Sequence, residues 1–265
     1  MKGGLSDTQK RLIEWLEQNN RWFVTTEEIA DFLSLSKQEA RRIGFTLSLK
    51  KWFITLKHNE YLLLQSLTKQ QPLDIHPLVI GSHLIDPYYF SFSTAAAYHK
   101  LVPVNTKIMY IVTTTIRNNP DIRNVSYRFV HVTPRKFFGY TPVSIDGQKV
   151  NMAEKEKIFV DSLEKFKYMG GLAEVIRLLK SNIQNLDVQR LVDYTVLMGS
   201  STLIQRVGYV LDHLNVSFDE DFLRSYSLGV LTYLDPYSSS DMKPRRDEKW
   251  NLMINIPDSL FTENP

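Results

Sequence analysis

The sequence contains no cysteine. That excludes disulfides, thiolate zinc sites and a cysteine nucleophile, and it fits a reducing compartment. It contains no apolar run near the ~20 residues needed to span a bilayer. The opening MKGGLSDTQKRLIEWL has no uninterrupted apolar h-region, so no secretory signal is expected. There is no Walker-type glycine loop and no G-x-G-x-x-G, so no nucleotide cradle is expected. The six histidines are His58, His76, His83, His99, His131 and His213. No two sit at a helical i, i+4 spacing or at close metal spacing with carboxylates, so no zinc or iron site is expected. These absences together predict a soluble, cytoplasmic protein with no cofactor, no metal and no membrane partner.

What is present is ordinary globular material. A chain of 265 residues favours two domains over one. Its hydrophobic content of 43% and charged content of 23% allow real cores without a metal or disulfide staple. The net charge of +3 names no partner by itself. Its distribution is more telling. Residues 36–58 carry Lys37, Arg41, Arg42, Lys50, Lys51 and Lys57 against Glu39 alone, a surplus of five. Residues 1–35 carry four basic and six acidic groups. One short stretch therefore holds more positive charge than the whole chain nets, as phosphate binders do.

Three helix starts are written into the first forty residues. Ser6 precedes Gln9 by three, Thr25 precedes Glu28, and Ser36 precedes Glu39. Each pair is a capping box. Apolar spacing agrees: Leu12, Trp15 and Leu16 share one face, Ile29, Phe32 and Leu33 a second, and Ala40, Ile43, Gly44 and Leu47 a third. The joint between the second and third helices is Ser34-Leu35, short enough to force the sharp crossing of a helix-turn-helix. Two β-rich runs follow, Trp52 to Leu56 and Tyr61 to Leu64, around the polar turn Lys57-His58-Asn59-Glu60. Three helices and then a hairpin is the order of a winged helix. A polar connector over 65–72 follows, so the boundary is drawn there: residues 1–70 form the DNA-binding domain and 73–265 the second.

The second domain reads as mixed α/β with a helical C-terminal half. Residues 92–101 predict a helix, and 108–114 and 125–132 predict central strands. Asp146-Gly147 between 142–145 and 149–152 predicts a hairpin. Helices are expected over 153–166, 171–181, 187–197, 200–214 and 219–227. Residues 237–249 are polar, and 250–256 alternate like an edge strand. The fold class expected for the whole chain is thus α+β, with an N-terminal winged helix-turn-helix.

The candidate site lies on the third helix and the hairpin. With Ala40, Ile43, Gly44 and Leu47 inward, Ser36, Lys37, Gln38, Arg41, Arg42 and Phe45 are left for other faces. Positions in the first half of that helix enter the major groove in this motif. Arg grips guanine O6/N7 and Gln grips adenine N6/N7, both bidentate. Thr46, Lys50, Lys51, Lys57, His58 and Asn59 are assigned to phosphates. The alternative reading is a solvated cationic face on a protein-interaction module. Asp146, Glu154, Glu156 and Lys157 could form a metal-dependent nuclease set. A helix N-terminus that favours acids accounts for them better. Asp161 reads as a semi-buried helix partner. Arg117, Arg123, Arg128, Arg135, Lys136, Arg245 and Arg246 form either a second nucleic-acid surface or scattered solubilising charge.

A run of motifs follows the winged helix. It begins at Tyr89 as YFSFSTAAAYH, then the strand 108–114, Arg128-Phe129-Val130 and Lys136-Phe137-Phe138-Gly139-Tyr140. Asp146-Gly147, then AEKEKIFVDSL from Ala153, and YMGGLAEV from Tyr168 complete it. In order and spacing the chain resembles the AbiEi family, antitoxins of type IV, abortive-infection toxin–antitoxin systems. The likeness covers nearly the whole chain and is weakest over 236–265. The resemblance implies a winged helix that binds inverted repeats in its own promoter and represses the operon. It also implies a second domain that counteracts a nucleotidyltransferase-like toxin without a stable complex, and no enzymatic activity. A solitary winged-helix regulator and a nuclease-like enzyme are the alternatives.

Overall fold

The computed structural model describes residues 4–68, 73–105, 107–227, 229–238 and 243–262. The chain is mixed α+β, and among the described residues it has eleven α-helices and three sheets. It divides into two compact units, Met1–Ile85 and Asp86–Pro265. The last four residues of the expected connector, 69–72, lie outside the described residues.

The first unit runs α1 (Asp7–Gln18), β1 (Phe23–Thr25), α2 (Thr26–Leu33), α3 (Lys37–Leu49), β2 (Phe53–Lys57), β3 (Glu60–Leu63) and α4 (Pro77–Ser82). Ser6, Thr25 and Ser36 each close a reciprocal capping box at the start of α1, α2 and α3. These satisfy amides that no intrahelical carbonyl reaches. Leu12, Ile13, Leu16, Ile29, Ala40, Leu47, Leu62 and Leu63 are fully buried and form the core. The hairpin β2–β3 takes β1 as a third antiparallel strand, in the order β1-β3-β2. β1 has only three residues, too few to announce themselves by alternation. The unit extends past the connector, through Ile85. His83, just after α4, stacks on Phe23 with ring centroids 3.8 Å apart and hydrogen-bonds Glu60 at 2.5 Å.

Gly44 is where α3 meets this sheet. A Cβ there would lie 2.5–2.8 Å from the ring and hydroxyl of Tyr61, a buried residue of β3. The helix and the strand approach this closely because no side chain stands between them. Gly44→Ala gains up to ~1 kcal/mol of helix propensity. Overpacking costs about 1–3 kcal/mol and outweighs it. We expect a lowered urea midpoint for the first unit. An unchanged or raised midpoint would mean that the Tyr61 ring swings aside without cost.

The second unit runs β4 (Tyr88–Phe90), α5 (Phe92–Tyr98), β5 (Ile108–Thr113), β6 (Asp121–Ile122), β7 (Val125–His131), β8 (Tyr140–Ile145) and β9 (Gln148–Ala153). Then come α6 (Lys155–Glu164), α7 (Leu172–Asn182), α8 (Val188–Met198), α9 (Ser201–His213) and α10 (Glu220–Ser225). It ends with β10 (Thr232–Tyr233), β11 (Arg245–Asp247), β12 (Leu252–Ile254) and α11 (Ser259–Thr262). The main sheet is six-stranded and mixed, in the order β6-β7-β5-β4-β9-β8. Asp146-Gly147 turns the β8–β9 hairpin with both residues at positive φ. A small second sheet has the order β10-β12-β11. This corrects the expected edge strand over 250–256. β12 is the middle strand, parallel to β10 and antiparallel to β11. Its ends are buried, and the Trp250 ring beside it lies so close to Gly208 of α9 that a Cβ there would meet it at 2.1–2.4 Å. The C-terminal half is therefore continuously helical only as far as Ser225, and then closes with three short strands and the four-residue α11.

Candidate nucleic-acid interface

The joint between α2 and α3 is three residues long. Ser34 ends α2 in the left-handed conformation (φ 54, ψ 47), and the Leu35 amide donates to the Ala30 carbonyl at 2.9 Å. Ser36 then caps α3. Its hydroxyl donates to Glu39 Oε2 at 2.6 Å and accepts from the Glu39 amide at 3.3 Å. The Ser36 side chain is thus committed to the helix start. Ala40, Gly44 and Leu47 face the core. At 3.6 residues per turn the opposite stripe is Gln38, Arg42, Phe45 and Leu49, with Arg41 alongside. Gln38, Arg41 and Arg42 are exposed, and Phe45 and Leu49 stand out at 60% and 67%.

The cations of this region differ in how free they are. Lys37 pairs with Glu27 of α2 at 3.3 Å, a surface pair of small worth. Its own backbone amide and Lys37 hold the Glu27 carboxyl below the ordinary range. Arg42 has no ion pair among the described residues, and its carbonyl accepts from Thr46 Oγ1 at 2.8 Å. Lys50 is directed elsewhere. Its ammonium donates to Gln9 Oε1 at 2.8 Å and to the Gly4 carbonyl at 2.7 Å, tying the end of α3 to the start of α1. Lys51 is exposed at φ 60, and its carbonyl accepts from Gln65 Nε2 at 2.6 Å. Lys57 pairs with Glu60 at 3.1 Å across the hairpin turn. His58 is exposed at that turn. Asn59 is half-buried and held within the unit: its Oδ1 accepts from Arg41 Nε at 3.2 Å, and its carbonyl accepts from the Thr26 amide at 2.8 Å. Lys50 and Asn59, both expected on phosphates, are therefore engaged within the unit. Ser36, Lys37, Gln38, Arg41 and Arg42 share the first turns of α3, with His58 at the hairpin tip beyond.

Two carboxylates hold the unit's polar joints. Burial alone would raise Glu60, but hydrogen bonds from His83 and Lys57 overcome it and hold its carboxyl below the ordinary range. In Glu28 burial is likewise outweighed, by the Thr25 amide and Arg21. A carboxylate with a depressed folded pKa stabilises above its unfolded pKa. That stability is lost as pH falls through the lower folded value. We expect the first unit to lose stability below pH ~4.3. Glu60→Gln should flatten that loss in thermal unfolding followed from pH 7 to pH 3. An acid limb as steep as the parent's would remove Glu60 from the account.

In the second unit four of the basic residues singled out by the sequence are engaged. Arg128 pairs with Asp121 at 3.2 Å, Lys136 with Glu164, and Arg245 with Asp258. Arg135 donates to the Leu197 carbonyl at 3.2 Å. Two carboxylates of the possible nuclease set are also engaged. Glu154 accepts from the Tyr194 hydroxyl at 2.5 Å, and Glu156 is buried, accepting from the Asp187 amide at 2.9 Å. Asp146 sits in the hairpin turn. Among the described residues no three His, Asp or Glu side chains come together as metal ligands.

Lys157 is fully buried and pairs with Asp161 one turn along α6. It also donates to the Tyr89 hydroxyl at 3.0 Å and lies 4.7 Å from the Phe138 ring centre. Asp161 accepts from Ser91 Oγ at 2.7 Å and from the Tyr89 hydroxyl at 3.2 Å. Burial, and then the Asp161 charge, push the Tyr89 hydroxyl well up. Sequence spacing marks Lys157 and Asp161 as an i, i+4 pair. Only the fold shows that Tyr89 and Ser91 of another element complete it in the interior.

No protein-family model matches the chain, and no curated protein matches it. A solved structure, the RV2827C protein from Mycobacterium tuberculosis, is similar in fold. The TM-score is 0.66 at 14% identity, covering 98% of this chain and 94% of that one. No helix among the described residues is long and apolar enough to cross a membrane.

Proposed function

We propose that the first unit is a winged helix-turn-helix that binds duplex DNA, with α3 as the reading helix and the β2–β3 hairpin as the wing. The carrying observation is the stripe of Gln38, Arg41 and Arg42. These exposed side chains stand on the first turns of a helix held by a three-residue joint and backed by a hairpin. Base-reading residue types at the N-terminal half of such a helix suit the major groove. Lys37, Lys51 and His58 flank them and suit the phosphates. The Phe45–Leu49 pair extends the stripe with apolar surface, which suits thymine methyl groups.

On this reading the chain is a cytoplasmic autorepressor that binds inverted repeats in its own promoter. The motif order over 89–175 adds the second role, that of an AbiEi-type antitoxin against a nucleotidyltransferase-like toxin. The internal pairing of Glu154, Glu156 and Lys157 supports a scaffold in the second unit rather than a nuclease. The test uses the full chain and the DNA directly upstream of its gene. Fluorescence anisotropy should show tighter binding to that fragment than to a shuffled duplex, and a reporter fused to it should be repressed. Equal binding to both, with no repression, would overturn the repressor. Co-expression with an adjacent nucleotidyltransferase frame tests the antitoxin role separately; growth arrest that the chain fails to relieve would overturn it.

A further inference from the structure

The contact between Arg41 and Asn59 joins the reading helix to the tip of the hairpin. Arg41 Nε donates to Asn59 Oδ1 at 3.2 Å. Asn59 is itself fixed from the other side. It stands at φ 61, its carbonyl accepts from the Thr26 amide at 2.8 Å, and its Oδ1 also receives the Thr26 hydroxyl at 3.4 Å. Thr26 is the first residue of α2 and is buried. The acceptor that holds Arg41 is thus anchored on a helix terminus, not on a swinging loop.

A guanidinium has five N–H donors in a rigid plane. Using Nε leaves the two terminal nitrogens, and among the described residues no other hydrogen bond occupies them. Two parallel N–H groups match the O6 and N7 acceptors of guanine. The sideways mode through Nε is closed by Asn59. The end-on fork remains, restrained at Nε before any ligand arrives. A side chain with this much rotamer freedom loses entropy on ordering, so prior restraint favours specific binding.

We propose that Arg41 reads a guanine in the major groove and that Asn59 is its positioning residue, acting through Nε rather than touching DNA. This rests on the DNA-binding reading above and replaces the phosphate role that the sequence suggested for Asn59.

Asn59→Gly separates the roles cleanly. Glycine accepts positive φ, so the turn and its bond to Thr26 are retained while Oδ1 is lost. Asn59→Asp keeps an acceptor. Duplexes are first selected by the full-length chain from a randomised 20-base-pair pool. Each recurrent guanine is then replaced by 7-deazaguanine, which lacks the N7 acceptor. In the parent, one such position per half-site should weaken binding about tenfold or more. Arg41→Ala should abolish that sensitivity. Asn59→Gly should reduce it severalfold while leaving the salt slope and the affinity for unselected duplex within about twofold. Asn59→Asp should retain it. Full guanine discrimination in Asn59→Gly would overturn the positioning role. Uniform weakening by Arg41→Ala, with base preference intact, would make Arg41 a phosphate contact and overturn the whole proposal. Failure of the parent to bind any duplex would instead remove the DNA reading beneath it.

Discussion

Lys157→Met is expected to cost the second unit about 3–5 kcal/mol of folding stability. The loss does not come from the missing attraction alone. Lys157 and Asp161 are both buried, so removing the ammonium leaves a carboxylate in the interior with only the Tyr89 and Ser91 hydroxyls for company. The unpaired charge dominates. Two further results follow from that cause. The deficit of the variant should shrink as pH falls. An unpaired buried carboxyl has a raised folded pKa, so protonation favours the folded state below that value. Adding Asp161→Leu should recover part of the loss, because replacing both charges removes the orphan. The Lys157 stem is also closely packed: at Gly139, which stands at φ 72, a Cβ would lie 3.0 Å from its methylenes. Urea unfolding of the single and double variants at pH 7 and pH 5 checks all three. A single variant within ~1 kcal/mol of the parent would contradict the buried pair.

Arg41→Ala combined with Arg42→Ala is expected to weaken binding to a selected duplex by about 100-fold. Each charge-assisted contact to a base or phosphate is worth ~1–3 kcal/mol. Lys50→Ala should behave quite differently. Its ammonium is held by Gln9 and the Gly4 carbonyl, so the change should loosen the start of α1 and leave the salt slope of binding unchanged. The two variants remove cations that look alike in a count of charge. Anisotropy titrations at several salt concentrations separate them. A loss of affinity on Lys50→Ala as large as that of the double variant would contradict the assignment of Lys50 to the fold.

That contrast shows where the sequence is informative and where it is not. The capping boxes at Ser6, Thr25 and Ser36 are local, spanning three residues, and the helices begin where those pairs lie. The inward face of α3 was legible because helical periodicity is also local. The reason for Gly44 was not, since Tyr61 reaches it from another element. The surplus of five positive charges over 36–58 was correct as arithmetic, yet it overstates the free cations. Lys37, Lys50 and Lys57 have partners in Glu27, Gln9 and Glu60, and those pairings are made by tertiary packing. Asn59 followed the same logic: a polar residue in a turn reads as exposed until Arg41 and Thr26 close on it. In the second unit the β8–β9 hairpin announced itself through Asp146-Gly147. The central position of β12 did not, because strand order depends on two partners earlier in the chain, β10 and β11, that pair on opposite edges of it.

DNA binding through α3 and its flanking cations is the proposal on which the binding predictions rest. The most direct test is the affinity of the full chain for its own upstream fragment between ~50 and 200 mM salt. The account predicts that log K falls linearly with log salt, by about 0.9 for each phosphate contacted, and that the fall is shallower in the Lys37→Ala, Lys51→Ala variant, which lacks two of the assigned phosphate contacts. Binding that ignores salt, or no binding at the low-salt end, would contradict it.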